Sequence, residues 1–185
     1  MDKIILASAS PRRKELLEGL GIDFEVIPSN IDEAFPLELL PAKVPEFLAE
    51  LKAESLKTLY PDRTIISADT IVLIGNEILN KPAKKSEATE MLQKLSGKMH
   101  LVITGVCIFK NGGKHLFSET TEVYFKHLDN KEIEYYVEKF KPYDKAGAYG
   151  VQEWIGYIAV EKIIGSFYNV MGLPVNKVYE ILNKF

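Results

Sequence analysis

The chain has 185 residues, enough for one sizeable core, and its 46% hydrophobic and 26% charged content is ordinary for a water-soluble globular protein. A formal charge of −3 carries no basic excess, which argues against nucleic acid as a partner, and no apolar run approaches a membrane span or a secretory leader. The single cysteine, Cys107, excludes an internal disulfide and favours an intracellular setting, the cytoplasm by default.

Residues 3–7 predict a strand, and Leu16, Leu17 and Leu20 mark the inner face of a helix ended by Gly21. Between them, Ser8, Ser10, Pro11, Arg12 and Arg13 form a small-residue turn into a helix start. Such a start offers unpaired N–H groups and the positive end of the helix dipole. Hydroxyls and fixed positive charge beside it are the makings of a phosphate site. A second strand is predicted at residues 24–27, followed by a polar loop through Asn30, Asp32 and Glu33. Val44, Phe47, Leu48 and Leu51 give helical spacing from Pro41 to about Leu59. Thr64 to Ile74, rich in β-branched residues, reads as a central strand.

Ala88, Met91, Leu92 and Leu95 form a further helical stripe, with Ser86 as its cap and Gly97 as its stop. Leu101–Phe109 and Thr121–Phe125 flank Asn111-Gly112-Gly113, a hairpin signal. Asp129 with Glu132 predicts a capping box for a helix on Ile133, Tyr136, Val137 and Phe140. Residues 141–153 read as loop, 157–164 as a strand, and Pro174 opens a last helix on Val175, Val178, Tyr179 and Leu182. The alternation predicts an α/β protein: a mixed central sheet flanked by helices, forming one domain over residues 1–185.

Spacing rejects several sites. Gly97-Lys98 lacks the upstream glycine of a P-loop, and no glycines make GxGxxG. His100, His115, His127 and Cys107 have no metal-ligand spacing. What remains is charge in costly places. Asp69 lies within a β-branched strand, where a carboxylate needs compensation. It is either a site residue or a strand-end acid paired structurally with a lysine. Lys52, on the margin of an apolar helix face, either reaches a site or snorkels to water. Lys81 precedes Pro82 and is therefore extended, whether solvated or directed to a ligand. Asp32-Glu33 is either loop surface or a pair of oxygen donors for a hard divalent cation. In Asp144-Lys145-Ala146-Gly147-Ala148-Tyr149-Gly150-Val151-Gln152, the Gln152 amide offers one donor and one acceptor side to a base edge. Trp154, close by, either stacks on a base or packs in the core.

Blocks spread along nearly the whole chain then make a pattern. Ser8-Ala9-Ser10-Pro11-Arg12-Arg13-Lys14-Glu15-Leu16-Leu17 and Leu48–Ala53 open it. Ala68-Asp69-Thr70-Ile71-Val72, Ile78–Pro82, Leu95–His100 and Thr104-Gly105-Val106 follow. Asp144–Gln152 and Gly165–Pro174 complete it. In these blocks the chain resembles the Maf family of nucleoside triphosphate pyrophosphatases. Ser67 and Asn80 stand where glycine is usual, and Glu153 where glycine often follows the glutamine.

The resemblance implies two lobes around a nucleotide-binding cleft and hydrolysis of a nucleoside triphosphate to monophosphate and pyrophosphate. A divalent cation would assist; the chemistry suits Mg²⁺ or Mn²⁺ with Glu33 and Asp69 as candidate ligands, and leaves open which carboxylate binds the metal and which takes the proton. Arg12, Thr70 and Gln152 stand at the positions associated with the dTTP/UTP subgroup; the 7-methyl-GTP subgroup carries a bulky residue in place of the first arginine. Asp69 aligns with the proton acceptor, and Ser8, Arg13, Glu33, Lys52 and Lys81 with substrate-contacting or supporting groups. A homodimer is the implied assembly. The alternative is a nucleotide-binding regulator of cell division without essential turnover, which would have no need of a water-activating acid.

Overall fold

The computed structural model describes residues 4–183, so Lys3, assigned above to the first strand, lies outside the described residues. The elements in chain order begin with β1 (Ile4–Leu6), α1 (Pro11–Glu18), β2 (Phe24–Val26) and α2 (Val44–Lys57), the last entered through a 3-10 turn at Pro41–Lys43. β3 (Ile65–Ile74), β4 (Glu77–Leu79), α3 (Lys85–Leu95), β5 (Met99–Lys110) and β6 (Gly113–Phe125) follow. The chain continues with α4 (Asn130–Phe140), α5 (Trp154–Ala159), β7 (Val160–Ile164), α6 (Phe167–Met171) and α7 (Val175–Asn183). The strands form one sheet in the order β2-β1-β3-β5-β6-β7, with β4 paired to β3. β1 runs parallel to β2 and β3, whereas β4 on β3 and β7 on β6 are antiparallel, so the sheet is mixed. No helix among the described residues is long and apolar enough to cross a membrane.

The chain divides into two compact units. The first comprises the chain up to Thr70, Thr104–Glu119 and the stretch from Gly172. Ile5, Ala7, Ala49, Ala53, Leu56, Ile65, Cys107 and Phe109 form a core cluster in it. The inner face of α2 is narrow because it carries alanines, and its first turn lies almost on β5. A Cβ at Gly105 would sit 2.2 Å from the Pro45 carbonyl carbon, so only glycine admits this approach. That contact fixes the helix whose inner face also carries Lys52. Burial pushes the Cys107 thiol up to about 12.

The second unit comprises Ile71–Ile103 and Thr120–Met171. Here α3 packs on α4 through Ala88, Leu92 and Leu95 on one side and Ile133, Tyr136 and Val137 on the other. The Asp129 capping box forms as predicted. Glu132 N–H donates to Asp129 Oδ1 at 2.8 Å, and Asp129 N–H donates to Glu132 Oε2 at 3.0 Å.

Several local predictions need correction. Ser86 is not a cap: α3 begins at Lys85 after Lys84, which makes no side-chain cap, and the Ala83 N–H donates to Glu87 Oε2 at 2.8 Å instead. The strand predicted over 157–164 is strand only from Val160, because the Glu153 carbonyl accepts from Gly156 and Tyr157 and starts α5. The long hairpin arm β6 begins at Gly113 rather than Thr121. Its turn is as read: Asn111 and Gly112 have φ of 49° and 76°, the left-handed pair that a two-residue hairpin needs.

Candidate active site

Among the described residues, the side chains bonded around Asp69 belong to the first unit. Asp69 projects from β3 and is 9% exposed, and Lys52 from α2 is 7% exposed. The Lys52 ammonium lies 2.6 Å from Asp69 Oδ1 and 2.8 Å from Glu33 Oε1, the latter carboxylate coming from an exposed loop. A carboxylate so deep in a sheet is tolerable because a cation compensates it. The lysine partner left open by the sequence is therefore Lys52.

The second cluster surrounds Arg13, in the first turn of α1. Its Nε donates to the Gly172 carbonyl at 2.8 Å, Nη1 to Ser8 Oγ at 3.2 Å and Nη2 to Thr70 Oγ1 at 3.0 Å. Thr70 Oγ1 also lies 2.9 Å from Thr104 Oγ1. Gly172 has a φ of 121°, so the carbonyl that Arg13 uses comes from backbone that favours glycine. Burial holds the Arg13 pKa below the ordinary guanidinium value; the Asp69 carboxylate opposes that shift and neighbouring Arg12 adds to it. Three oxygens from three segments thus fix a desolvated cation beside the strand that carries Asp69.

Ser8, Arg13 and Thr70 share one bonded cluster, Glu33, Lys52 and Asp69 the other, and the Asp69-Thr70 step joins them. Arg12 lies within electrostatic reach of Arg13. Lys81 and Gln152 belong to the second unit. Lys81 is exposed just beyond β4, and Gln152 is half-buried, its Oε1 buried without a hydrogen-bond partner. Near Gln152, Lys145 Nζ lies 2.9 Å from Glu153 Oε1, and the Tyr136 hydroxyl donates to Glu153 Oε2. Thr104, the Gly172 carbonyl, Tyr136 and Lys145 were not singled out in the sequence, whereas Glu153 was, as a departure from the family pattern beside Gln152. Thr104 had a signal in the Thr104-Gly105-Val106 block; Tyr136 looked like any member of an apolar stripe.

The donor chemistry suits a hard cation. Glu33 and Asp69 present oxygens to one point, now taken by an ammonium, and Mg²⁺ is commonly held by one or two carboxylates together with substrate phosphates and water. Among the described residues no group of three or more His, Cys, Asp or Glu side chains forms a closed metal cage.

The family model described as Maf-like protein matches residues 3–185. The chain belongs to the Maf family. Among its Maf relatives, the dTTP/UTP pyrophosphatase of Cytophaga hutchinsonii is 50% identical over 181 residues, 98% of this chain and 83% of that protein. The proteins of the same name from Porphyromonas gingivalis and Parabacteroides distasonis are 52% and 53% identical; each match spans 99% of this chain, with 94% and 96% of the relatives covered. Of solved structures, the Staphylococcus aureus Ham1 protein superposes with a TM-score of 0.47 at 16% identity, covering 66% of this chain and 71% of that one. That superposition is too loose to bear on function.

Proposed function

We propose that this Maf protein hydrolyses dTTP and UTP, and modified pyrimidine nucleotides of similar shape, to the monophosphate and pyrophosphate. The observation that carries this is its identity of about one half to three near-full-length relatives of that name. The geometry around Asp69 supports it. Lys52 fixes Asp69 Oδ1, and Oδ2 is left to accept a proton from an attacking water. As the water oxygen bonds to the α-phosphorus, the bond from that phosphorus to the bridging oxygen breaks, and its electron pair leaves with pyrophosphate. General-base assistance of this kind contributes about 10²–10⁴-fold in rate.

Arg12, Arg13, Lys52 and Lys81 supply positive charge for the phosphates, and Ser8 holds Arg13 in place. When bound by Glu33 and Asp69, a divalent cation such as Mg²⁺ or Mn²⁺ supplies Lewis-acid polarisation of the phosphate. Gln152 contacts the base. Thr70, which the resemblance ties to base choice, also fixes the Arg13 guanidinium through its hydroxyl, which lies against Thr104 as well. We take residues 1–185 as one functional domain, acting as a homodimer in the cytoplasm; light scattering on the purified protein tests the dimer.

The decisive experiment is turnover of dTTP, UTP, CTP and 7-methyl-GTP with Mg²⁺ or Mn²⁺, products followed by phosphorus NMR. Pyrophosphate and monophosphate from dTTP and UTP are expected. Release of orthophosphate alone, or preference for 7-methyl-GTP, contradicts the assignment. Asp69→Asn is expected to lower kcat by about 10²–10⁴-fold while nucleotide still binds. A regulator without turnover would leave the whole panel intact.

A further inference from the structure

The turn carrying Gln152 is pinned at both ends to a single hydroxyl. Tyr136, buried on α4, accepts from the Gly150 N–H at 3.2 Å and donates to Glu153 Oε2. Glu153 Oε1 lies 2.9 Å from the Lys145 ammonium, and the Glu153 N–H closes the turn onto the Gly150 carbonyl at 3.0 Å. Both carboxylate oxygens are thereby used, and Gln152 lies in the short stretch between the two anchored residues.

The packing leaves little slack. A Cβ at Gly150 would sit 2.9 Å from Glu153 Cδ and 3.1 Å from Lys145 Cε, so a larger residue there would displace these two side chains. Just upstream, Ala148 has a φ of 59°, a left-handed conformation that a residue other than glycine holds only when its surroundings impose it. Gln152 itself presents a buried Oε1 with no partner, an acceptor whose usefulness depends on where the turn holds it.

We propose that Tyr136 and Glu153 are positioning residues that set the Gln152 amide for the choice of base. This rests on the assignment of Gln152 as the base contact made above. Glu153 occupies a place where the family pattern often has glycine, so this clamp belongs to the present chain's own residues rather than to the blocks that carry the resemblance.

The test uses the full chain with Tyr136→Phe, Glu153→Gln and Glu153→Gly, each assayed on UTP, dTTP and CTP, with Gln152→Ala in parallel. Tyr136→Phe keeps the ring and removes the shared hydroxyl. It is expected to raise KM for UTP and dTTP about five-fold, the scale of one hydrogen bond, and to narrow their advantage over CTP, while kcat at saturation holds. Glu153→Gly should behave the same way, and Glu153→Gln, which keeps the shape and the Tyr136 bond but sets an amide donor against the Lys145 ammonium, should fall between Glu153→Gly and the unaltered protein. Unchanged KM in Tyr136→Phe and Glu153→Gly overturns the proposal, as does an equal loss on all three nucleotides. Gln152→Ala separates the two assignments. If it leaves base preference intact, the base contact falls and the clamp's role with it. If it erases the preference while Tyr136→Phe does not, only the positioning role falls.

Discussion

At Lys52 one ammonium neutralises two carboxylates that would otherwise repel each other, 2.6 Å and 2.8 Å away. Lys52→Ala leaves Asp69 charged and nearly buried without its cation, a loss of about 3 kcal/mol by the usual cost of breaking a buried pair. Urea unfolding checks that figure, and turnover should fall with it. His100 gives a second residue-scale prediction. Its ring sits edge-on to Phe125 and Tyr149 at 5.0 Å and 5.4 Å between centroids, with Nε2 2.8 Å from the Tyr149 hydroxyl. Burial lowers its pKa from 6.5 to about 4. Between those values the unfolded chain binds a proton that the folded chain refuses. The stabilisation is therefore complete above pH 6.5 and is lost as pH falls to about 4, a span of roughly 3 kcal/mol. His100→Gln should flatten that part of the stability–pH curve, measured by urea melts at stepped pH. Of these residues, Asp69 was legible because a carboxylate in a β-branched run demands an explanation. Lys52 was ambiguous because helix-margin lysines commonly reach water. Glu33 could not be separated from other loop acids, since its significance lies in a contact with a residue distant in sequence.

At the scale of elements, α4 and α2 illustrate opposite kinds of determination. The α4 start is local: Asp129→Ala removes the acceptor for Glu132 N–H and should cost about 1 kcal/mol, visible as a lowered Tm. The α2 placement is tertiary. Gly105→Ala drives a methyl into the Pro45 carbonyl, and we expect at least 1–3 kcal/mol of destabilisation together with impaired turnover, because α2 carries Lys52. Elements with local rules were read from the sequence, among them the capping box and the Asn111-Gly112 turn. The short helices α5 and α6 were not. Their existence depends on contacts such as Gly156 against Val151, where a Cβ would lie 1.8 Å from a carbonyl oxygen, and spacing of apolar residues carries no trace of that.

For the whole molecule, β3, β5 and β6 each contribute residues to both compact units. A strand cannot easily melt over half its length while keeping its pairing in the other half. Urea unfolding followed by far-ultraviolet circular dichroism and by Trp154 fluorescence should therefore give coincident transitions. Separated midpoints would mean that the units come apart independently.

The sealed position of Cys107 has a practical consequence. Its sulfur lies in the core of the first unit, is shielded from water and stays protonated at ordinary pH. A small alkylating reagent can then capture it only when that core opens, and the rate of capture becomes a clock for rare excursions of the native protein. With the tryptophan in one unit and the thiol in the other, nature has supplied a separate reporter for each half without any label being introduced.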